Sequence, residues 1–247
     1  MQETLSRFRP MDLGDILNTT FNLYRDNFML FAGIVAVIVV PQAILEALLA
    51  ISHSTLFVLL LALVSVAAPF LEVGALAEAV AARYLGRSIT IREAFESIGW
   101  PTFLVLVGAS LLAGICVLVG LVLLVIPGIY IGVRLTLVAQ AAVLERRGVT
   151  DSLARSWNLV EGNWWRVFGI VLVVSILVAV LETLVSRIVG VAAGDIVGNG
   201  LGTAIVGIVF QPIQAIALTL LYFDLRIRKE GTVESGGSPQ LDPVTRP

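Results

Sequence analysis

Long apolar stretches alternate with short polar connections along this 247-residue chain. A helix needs roughly 20 apolar residues to cross about 30 Å of hydrocarbon. Six stretches come close to that length, and each predicts a transmembrane helix. They cover residues 28–51, 55–82, 102–126, 127–144, 167–185 and about 201–223. Pro127 and Gly128 begin the fourth stretch directly after the third, which predicts a tight helical hairpin.

Short amphipathic segments precede three of the six stretches. In residues 12–27, apolar side chains recur at helical spacing with polar side chains opposite them. A similar stripe precedes the third stretch, where Thr90 and Glu93 have the spacing of a capping box. Residues 150–163 form the third segment, before the fifth stretch. We expect each segment to be a helix in the cytoplasmic interface of the membrane.

Aromatic side chains are found in and beside the first and third of these segments. The rings of Tyr and Trp favour the boundary between hydrocarbon and water. We therefore expect an interfacial face that is open to a partner. Its candidate residues are Phe21, Tyr24, Trp157, Trp164 and Trp165.

An internal repeat relates the first amphipathic segment to the third. A shift of 136 residues pairs Asp15 with Asp151, Asn22 with Asn158, Asn27 with Asn163, and Gly33-Ile34-Val35 with Gly169-Ile170-Val171. Half this offset places a middle copy near Thr90. We predict an all-α membrane protein of six transmembrane helices in three parallel hairpin repeats, each preceded by an interfacial helix. The alternative is chance similarity, because apolar segments align easily.

The repeats cover residues of about 12–82, 90–144 and 150–225 within a single membrane domain, residues 1–230. Residues 231–247 are rich in Gly, Ser and Pro and have little to bury. This composition predicts a disordered cytoplasmic tail.

Composition and charge agree with a membrane protein. Hydrophobic residues make up 58% of the chain and charged residues 14%, against about 45–50% and about 25% in an ordinary soluble domain. The Arg and Lys residues near span ends lie on one side of a six-span arrangement, except Arg187. Because such residues stay on the cytoplasmic side, both termini are expected there. The net charge of −2 gives no indication of a nucleic-acid partner.

A polar layer is predicted near the middle of the membrane. Glu72, Arg134 and Gln214 lie at similar distances from the basic ends of the spans that return to the cytoplasm. At a helical rise of about 1.5 Å per residue, this distance is about 17 Å. Glu72 and Arg134 would form an ion pair there, with Gln211 or Gln214 beside it. The layer is a binding site for a polar ligand or lipid head group, a step on an ion path, or a structural lock that holds the hairpins in register.

The residue sets of common enzymes are absent. His53 is the single histidine, and the single cysteine, Cys116, lies inside the third apolar stretch. Neither a Ser-His-Asp or Cys-His arrangement nor a Cys/His metal site can be assembled within one chain. There is also no phosphate-binding glycine loop in a strand context. The sequence therefore predicts no catalytic residue, no metal site and no cofactor.

Three stretches resemble a known family. They are FRPMDLGDILNTTFNLYRDNF at 8–28, IPGIYIGVRLTLVAQAAVLERRGVTDSLARSWNLVEGNWWRVFG at 126–169, and LLYFDLRIRKEG at 220–231. They are similar to bacterial and archaeal proteins related to the membrane domain of glycerophosphoryl diester phosphodiesterase. The resemblance implies a multi-pass protein of the prokaryotic cytoplasmic membrane. Its signature positions here are Pro127, Ser156, Trp157, Asn163, Trp164, Tyr222 and Asp224.

The soluble catalytic domain of the fused relatives has no counterpart in this chain, so the resemblance supplies no catalytic residue. The leading hypothesis is a non-enzymatic scaffold or accessory subunit. Its expected partners are membrane lipid, including anionic lipid, and a membrane or cytoplasmic protein. The alternative is a lipid or small-solute binding or transport protein that uses the layer of Glu72, Arg134, Gln211 and Gln214.

Overall fold

The computed structural model describes residues 11–52, 54–193 and 195–230. Ten helices lie in this part of the chain, and it contains no strand. They are α1 (Leu13–Asp26), α2 (Phe28–Ser52), α3 (Thr55–Tyr84), α4 (Ile91–Glu96), α5 (Trp100–Leu123), α6 (Val125–Arg134), α7 (Val138–Leu144), α8 (Val149–Val160), α9 (Trp164–Ala193) and α10 (Asp195–Glu230). His53 and the predicted tail, residues 231–247, lie outside the described residues.

Six helical segments are long and apolar enough to cross a membrane. They are Phe28–Glu46, Thr55–Tyr84, Trp100–Leu123, Val125–Leu144, Trp164–Ile188 and Ala204–Glu230. Their order and positions agree with the six stretches predicted from the sequence. By length and composition they indicate a multi-pass membrane protein.

The chain folds into two compact units. Among the described residues, the first unit comprises 11–22, 98–172 and 217–230, and the second comprises 23–97 and 173–216. Helices α1, α9 and α10 contribute residues to both. The single membrane domain predicted for residues 1–230 stays a prediction.

A tight hairpin of α5 and α6 lies in the first unit. Leu124 alone connects the two helices in an extended conformation. Gly120 and Gly128 allow the close approach, because a Cβ on Gly120 would lie 2.9 Å from the Cα of Gly128. A Cβ on Gly128 would lie 2.7 Å from the backbone nitrogen of Leu121. The hairpin predicted at Pro127 and Gly128 is therefore confirmed.

The fourth span differs from the single helix predicted over residues 127–144. It is interrupted between Arg134, where α6 ends, and Val138, where α7 begins. Helix α5 packs against both halves and against α8. A small apolar cluster forms where they meet, consisting of Ala109, Ala113, Leu135 and Val138 with Cys116, Ile131, Val149 and Leu153 around it.

In the second unit, α2 and α3 form a hairpin, and α4 packs against both. Gly33 makes room for α4, because a Cβ there would overlap the Cδ1 of Ile91.

The predicted capping box is confirmed. The Oγ1 of Thr90 accepts from the backbone N–H of Glu93 at 3.3 Å, and the N–H of Thr90 donates to the Glu93 carboxylate at 2.7 Å. The N–H and the hydroxyl of Thr90 both donate to the Glu93 carboxylate and hold the pKa of Glu93 below its usual range.

Candidate functional site

The interruption of the fourth span is stabilised by one side chain of α8. The Oγ of Ser156 donates to the carbonyl oxygen of Arg134 at 2.8 Å and accepts from the N–H of Leu137 at 3.2 Å. Both backbone groups lose their regular helical partners here. The regular partner of the Arg134 carbonyl oxygen is the N–H of Val138, which bonds to the carbonyl oxygen of Leu135 instead. Ser156 is fully buried. Its hydroxyl thus satisfies one donor and one acceptor that apolar surroundings would leave unpaired.

The guanidinium of Arg134 lies beside the interruption and is buried, with 8% of the residue exposed. Its Nε and Nη2 donate to the Tyr130 hydroxyl at 3.1 and 2.6 Å, and its Nη1 donates to the carbonyl oxygen of Trp157 at 3.0 Å. The Cζ atom lies 4.7 Å from the ring centre of Trp157 and 5.2 Å from that of Tyr130.

Helix ends and aromatic rings therefore surround the charge of Arg134. Arg134 ends α6, and Trp157 lies in the last turn of α8. The carboxyl end of a helix carries partial negative charge, and ring faces attract cations. Within the first unit, the hydrogen bonds of Arg134 are accepted by two neutral groups, the Tyr130 hydroxyl and the Trp157 carbonyl oxygen.

An aromatic cluster extends from this site along α9. We use this name for Tyr130, Trp157, Trp164, Trp165 and Phe168. Tyr130 and Trp164 stack at 5.7 Å, Trp164 and Phe168 stack at 5.2 Å, and Trp164 meets Trp165 edge to face at 4.7 Å. Trp165 is 78% exposed. Three of the five predicted interfacial residues thus come together.

The other two predicted interfacial residues lie apart from the cluster. Phe21 belongs to the first unit and is 53% exposed. Tyr24 belongs to the second unit, where its hydroxyl donates to the carbonyl oxygen of Val209 at 2.6 Å. Burial raises the pKa of Tyr24. Its hydroxyl is therefore engaged in holding α1 to α10 and is not an open polar contact.

The residues of the predicted polar layer are divided between the two units. Glu72 is buried in α3, whereas Gln211 and Gln214 are exposed on α10. All three belong to the second unit and Arg134 to the first. The ion pair of Glu72 with Arg134 therefore stays a prediction. The hydrogen bonds that engage Arg134 are those to Tyr130 and Trp157.

A buried carboxylate lies just beyond α7 in the first unit. Glu145 accepts hydrogen bonds from the Tyr222 hydroxyl, from Arg147 and from Arg155, the last at 2.7 Å. Arg155 also pairs with Glu230 at the end of α10. Burial favours the neutral acid, but these three donors together hold the pKa of Glu145 below its usual range. The carboxylate stays charged and joins α7, α8 and α10.

A second buried carboxylate holds the backbone that precedes α1. Asp224 is fully buried and accepts from the N–H of Met11 at 2.7 Å, from Arg166 at 3.0 Å and from Arg228 at 3.0 Å. The carbonyl oxygen of Met11 accepts from both arginines. We call these four residues the Asp224 clamp. It joins the start of α1 to α9 and α10.

The pattern of residues in the sequence did not predict some of these roles. Ser156, Tyr222 and Asp224 were marked by resemblance alone, and Glu145 was not singled out. The spacing of Tyr130 and Arg134, four residues apart on a helix, could have suggested their contact. Among the described residues, no group of three or more His, Cys, Asp or Glu is placed to hold a metal ion.

A family model described as a domain of unknown function, DUF7847, matches residues 11–225. The chain belongs to this family. The matched region of the DUF7847 domain includes the interruption, the aromatic cluster and Asp224. Among curated proteins none matches the chain, and among solved structures none matches it either. The resemblance to glycerophosphoryl diester phosphodiesterase membrane domains stays a prediction.

Ser156→Ala is expected to reduce the free energy of unfolding by about 1–3 kcal/mol, because it leaves a buried carbonyl and a buried N–H unpaired. Thermal unfolding in a mild detergent, followed by tryptophan fluorescence, measures this. Thr183→Ala is the matched control, since that exposed hydroxyl bonds only to Ala179 of its own helix. We expect the control to change stability by less than about 0.5 kcal/mol. Equal unfolding of the two variants would show that Ser156 does not hold the interruption.

Proposed function

We propose that this DUF7847 protein is a non-enzymatic scaffold or accessory subunit of a prokaryotic cytoplasmic membrane, with both termini in the cytoplasm. The observation that supports this most is the attachment of α8 to the interrupted span through Ser156 and Arg134. The helix fixed in this way leads into α9, whose first turn carries the exposed ring of Trp165. The buried carboxylates Glu145 and Asp224 of the first unit are likewise engaged between helices.

The three-repeat organisation is part of this proposal, and two equivalent contacts support it. Ile91, the first residue of α4, packs against Gly33 in the outgoing span of the first repeat. Val149, the first residue of α8, packs against Gly108 in the outgoing span of the second, where a Cβ would lie 3.1 Å away. Each later interfacial helix therefore begins against a glycine of the preceding repeat.

The start of the first interfacial helix contacts the third repeat in a related way. Met11 precedes α1 and is bonded to Arg166, in the first turn of the outgoing span α9. This third junction is made by a hydrogen bond and not by a glycine contact. The distribution of Arg and Lys residues near the span ends supports a cytoplasmic position for the interfacial helices.

A second candidate function is the binding or transport of a lipid or small solute. The observation that favours it concerns the hydrogen-bond partners of the Glu72, Gln211 and Gln214 side chains in the second unit. None of the three side chains takes part in a hydrogen bond or ion pair with the described residues of the second unit. Polar groups inside a membrane span need a partner, and they mark pathways or ligand sites in many membrane proteins.

Native mass spectrometry of the gently extracted protein distinguishes the two functions. A scaffold should carry a protein partner that is retained in Glu72→Gln and lost in Trp165→Ala. Val180→Ala is the control, because Val180 is also an exposed apolar residue of α9. A discrete small mass that disappears in folded Glu72→Gln would instead support the ligand-binding function. Hydrolysis of a glycerophosphodiester by the purified protein would contradict the non-enzymatic assignment.

A further inference from the structure

Two amide side chains lie on one exposed face of α10, inside the membrane span Ala204–Glu230. Gln211 and Gln214 are three residues apart and therefore neighbours on the helix surface. Both are exposed, and neither takes part in a hydrogen bond with the described residues. Lipid tails offer an amide no donor and no acceptor, so leaving it unpaired at this depth is unfavourable.

Another amide in the spans of the second unit is satisfied within the chain. Gln42, partly exposed in α2, donates to the hydroxyl of Ser65 in α3 at 3.1 Å. A neighbouring span can therefore satisfy an amide within the chain. Gln211 and Gln214 have no such partner among the described residues of the second unit.

Small residues accompany the two amides. Gly207 lies one turn before Gln211, whose amide folds over it, with the Cβ position of the glycine 3.6 Å from the amide atoms. Ala204 and Ala215 lie about two turns before and one turn after Gln211. Small residues let two helix backbones approach closely enough for amides to bond across the interface. Gly207 itself is buried. We call Ala204, Gln211, Gln214 and Ala215 the amide face.

A backbone acceptor adds to the amide face. Pro212 lies inside α10 and has no N–H, so the carbonyl of Ile208 loses its regular helical donor. Ile208 lies three residues before Gln211, on the same side of the helix. The face therefore combines amide donors with both side-chain and backbone acceptors.

We propose that two copies of the chain associate through the amide face, with Gln211 and Gln214 of each copy bonded to the other. An amide is both donor and acceptor. Two identical faces related by a twofold axis therefore satisfy each other. A water-soluble protein cannot reach this depth, and an apolar helix cannot pair the amides. This proposal is independent of the scaffold function.

Single-molecule photobleaching of labelled protein in lipid vesicles tests the association over a range of protein-to-lipid ratios. Wild type is expected to be dimeric at ratios where the double variant Gln211→Leu/Gln214→Leu is monomeric, a weakening of about tenfold or more. Gln42→Leu, the matched control, should dimerise like wild type. A monomeric wild type, or a double variant that dimerises equally well, would overturn the proposal.

A cross-linking measurement keeps the test independent of the glutamine substitutions. In a Cys116→Ala background, Ala215→Cys is expected to give covalent dimers with a short bis-maleimide in membranes, whereas the exposed position Val180→Cys on α9 is not. Equal cross-linking at both positions would contradict the face. A bound small molecule that is lost in a monomeric Gln211→Leu/Gln214→Leu variant would assign the amides to a solute instead.

Discussion

Asp224→Asn is expected to reduce the free energy of unfolding by about 3–5 kcal/mol. The carboxylate of Asp224 is fully buried and lies between Arg166 and Arg228, which are themselves largely covered. Asparagine keeps the shape of the side chain but removes the charge. The two guanidinium groups would then lie close together with no anion between them, and an NH2 donor would replace the oxygen that accepts from both arginines.

Chemical unfolding in detergent, monitored by tryptophan fluorescence, measures the effect of the clamp. Asp26→Asn is the matched control. Asp26 pairs with Arg25 at 3.4 Å, but both side chains are exposed, at 62% and 76%. Such surface pairs contribute no more than about 1 kcal/mol. If the two variants unfold alike, the Asp224 clamp contributes no more than a surface ion pair.

Gly128→Ala is expected to destabilise the protein by about 2–3 kcal/mol, because it overpacks the hairpin of α5 and α6. The new methyl group would lie 2.7 Å from the backbone nitrogen of Leu121. A backbone atom cannot move aside as the end of a side chain can. The two helices would have to separate, and the halves of the interrupted span would move with them.

Gly114→Ala is the control for this substitution. Gly114 lies in α5, the partner helix of the hairpin, and a Cβ there meets no atom within 4 Å. Alanine is the better helix former by up to about 1 kcal/mol, so this variant should be as stable as wild type or slightly more stable. Both variants are compared by their unfolding midpoints in the same detergent. A Gly128→Ala midpoint equal to that of Gly114→Ala would mean that the glycine contact is not close in solution.

The DUF7847 assignment and the structure bear on different parts of the functional question. The family match shows that residues 11–225 form a recurring domain, and its description names no activity. The structure adds the contacts that engage Arg134, Glu145 and Asp224 between helices. These contacts give the charged residues in and beside the spans a structural role. They support the proposal of a fixed membrane scaffold.

The sequence by itself determined the features that depend on neighbouring residues. The six spans follow from the length of each apolar stretch, since crossing hydrocarbon requires that length whatever the packing. The capping box of Thr90 and Glu93 and the hairpin at Gly128 are equally local. The depth of Arg134 in the membrane stays a prediction, because it was counted along a span that is interrupted after Arg134.

Tertiary structure alone decided what each buried polar group contacts. Counting residues along a span gives the depth of a side chain but not the direction in which it points. Glu72 was expected to pair with Arg134 because their counted depths match. The described bonds of Arg134 go to Tyr130 and to Trp157 on α8. The interruption after Arg134 falls at Leu135, Thr136 and Leu137, where neither Gly nor Pro marks a break. It exists because the hydroxyl of Ser156, distant in sequence, supplies the hydrogen bonds that the helix gives up.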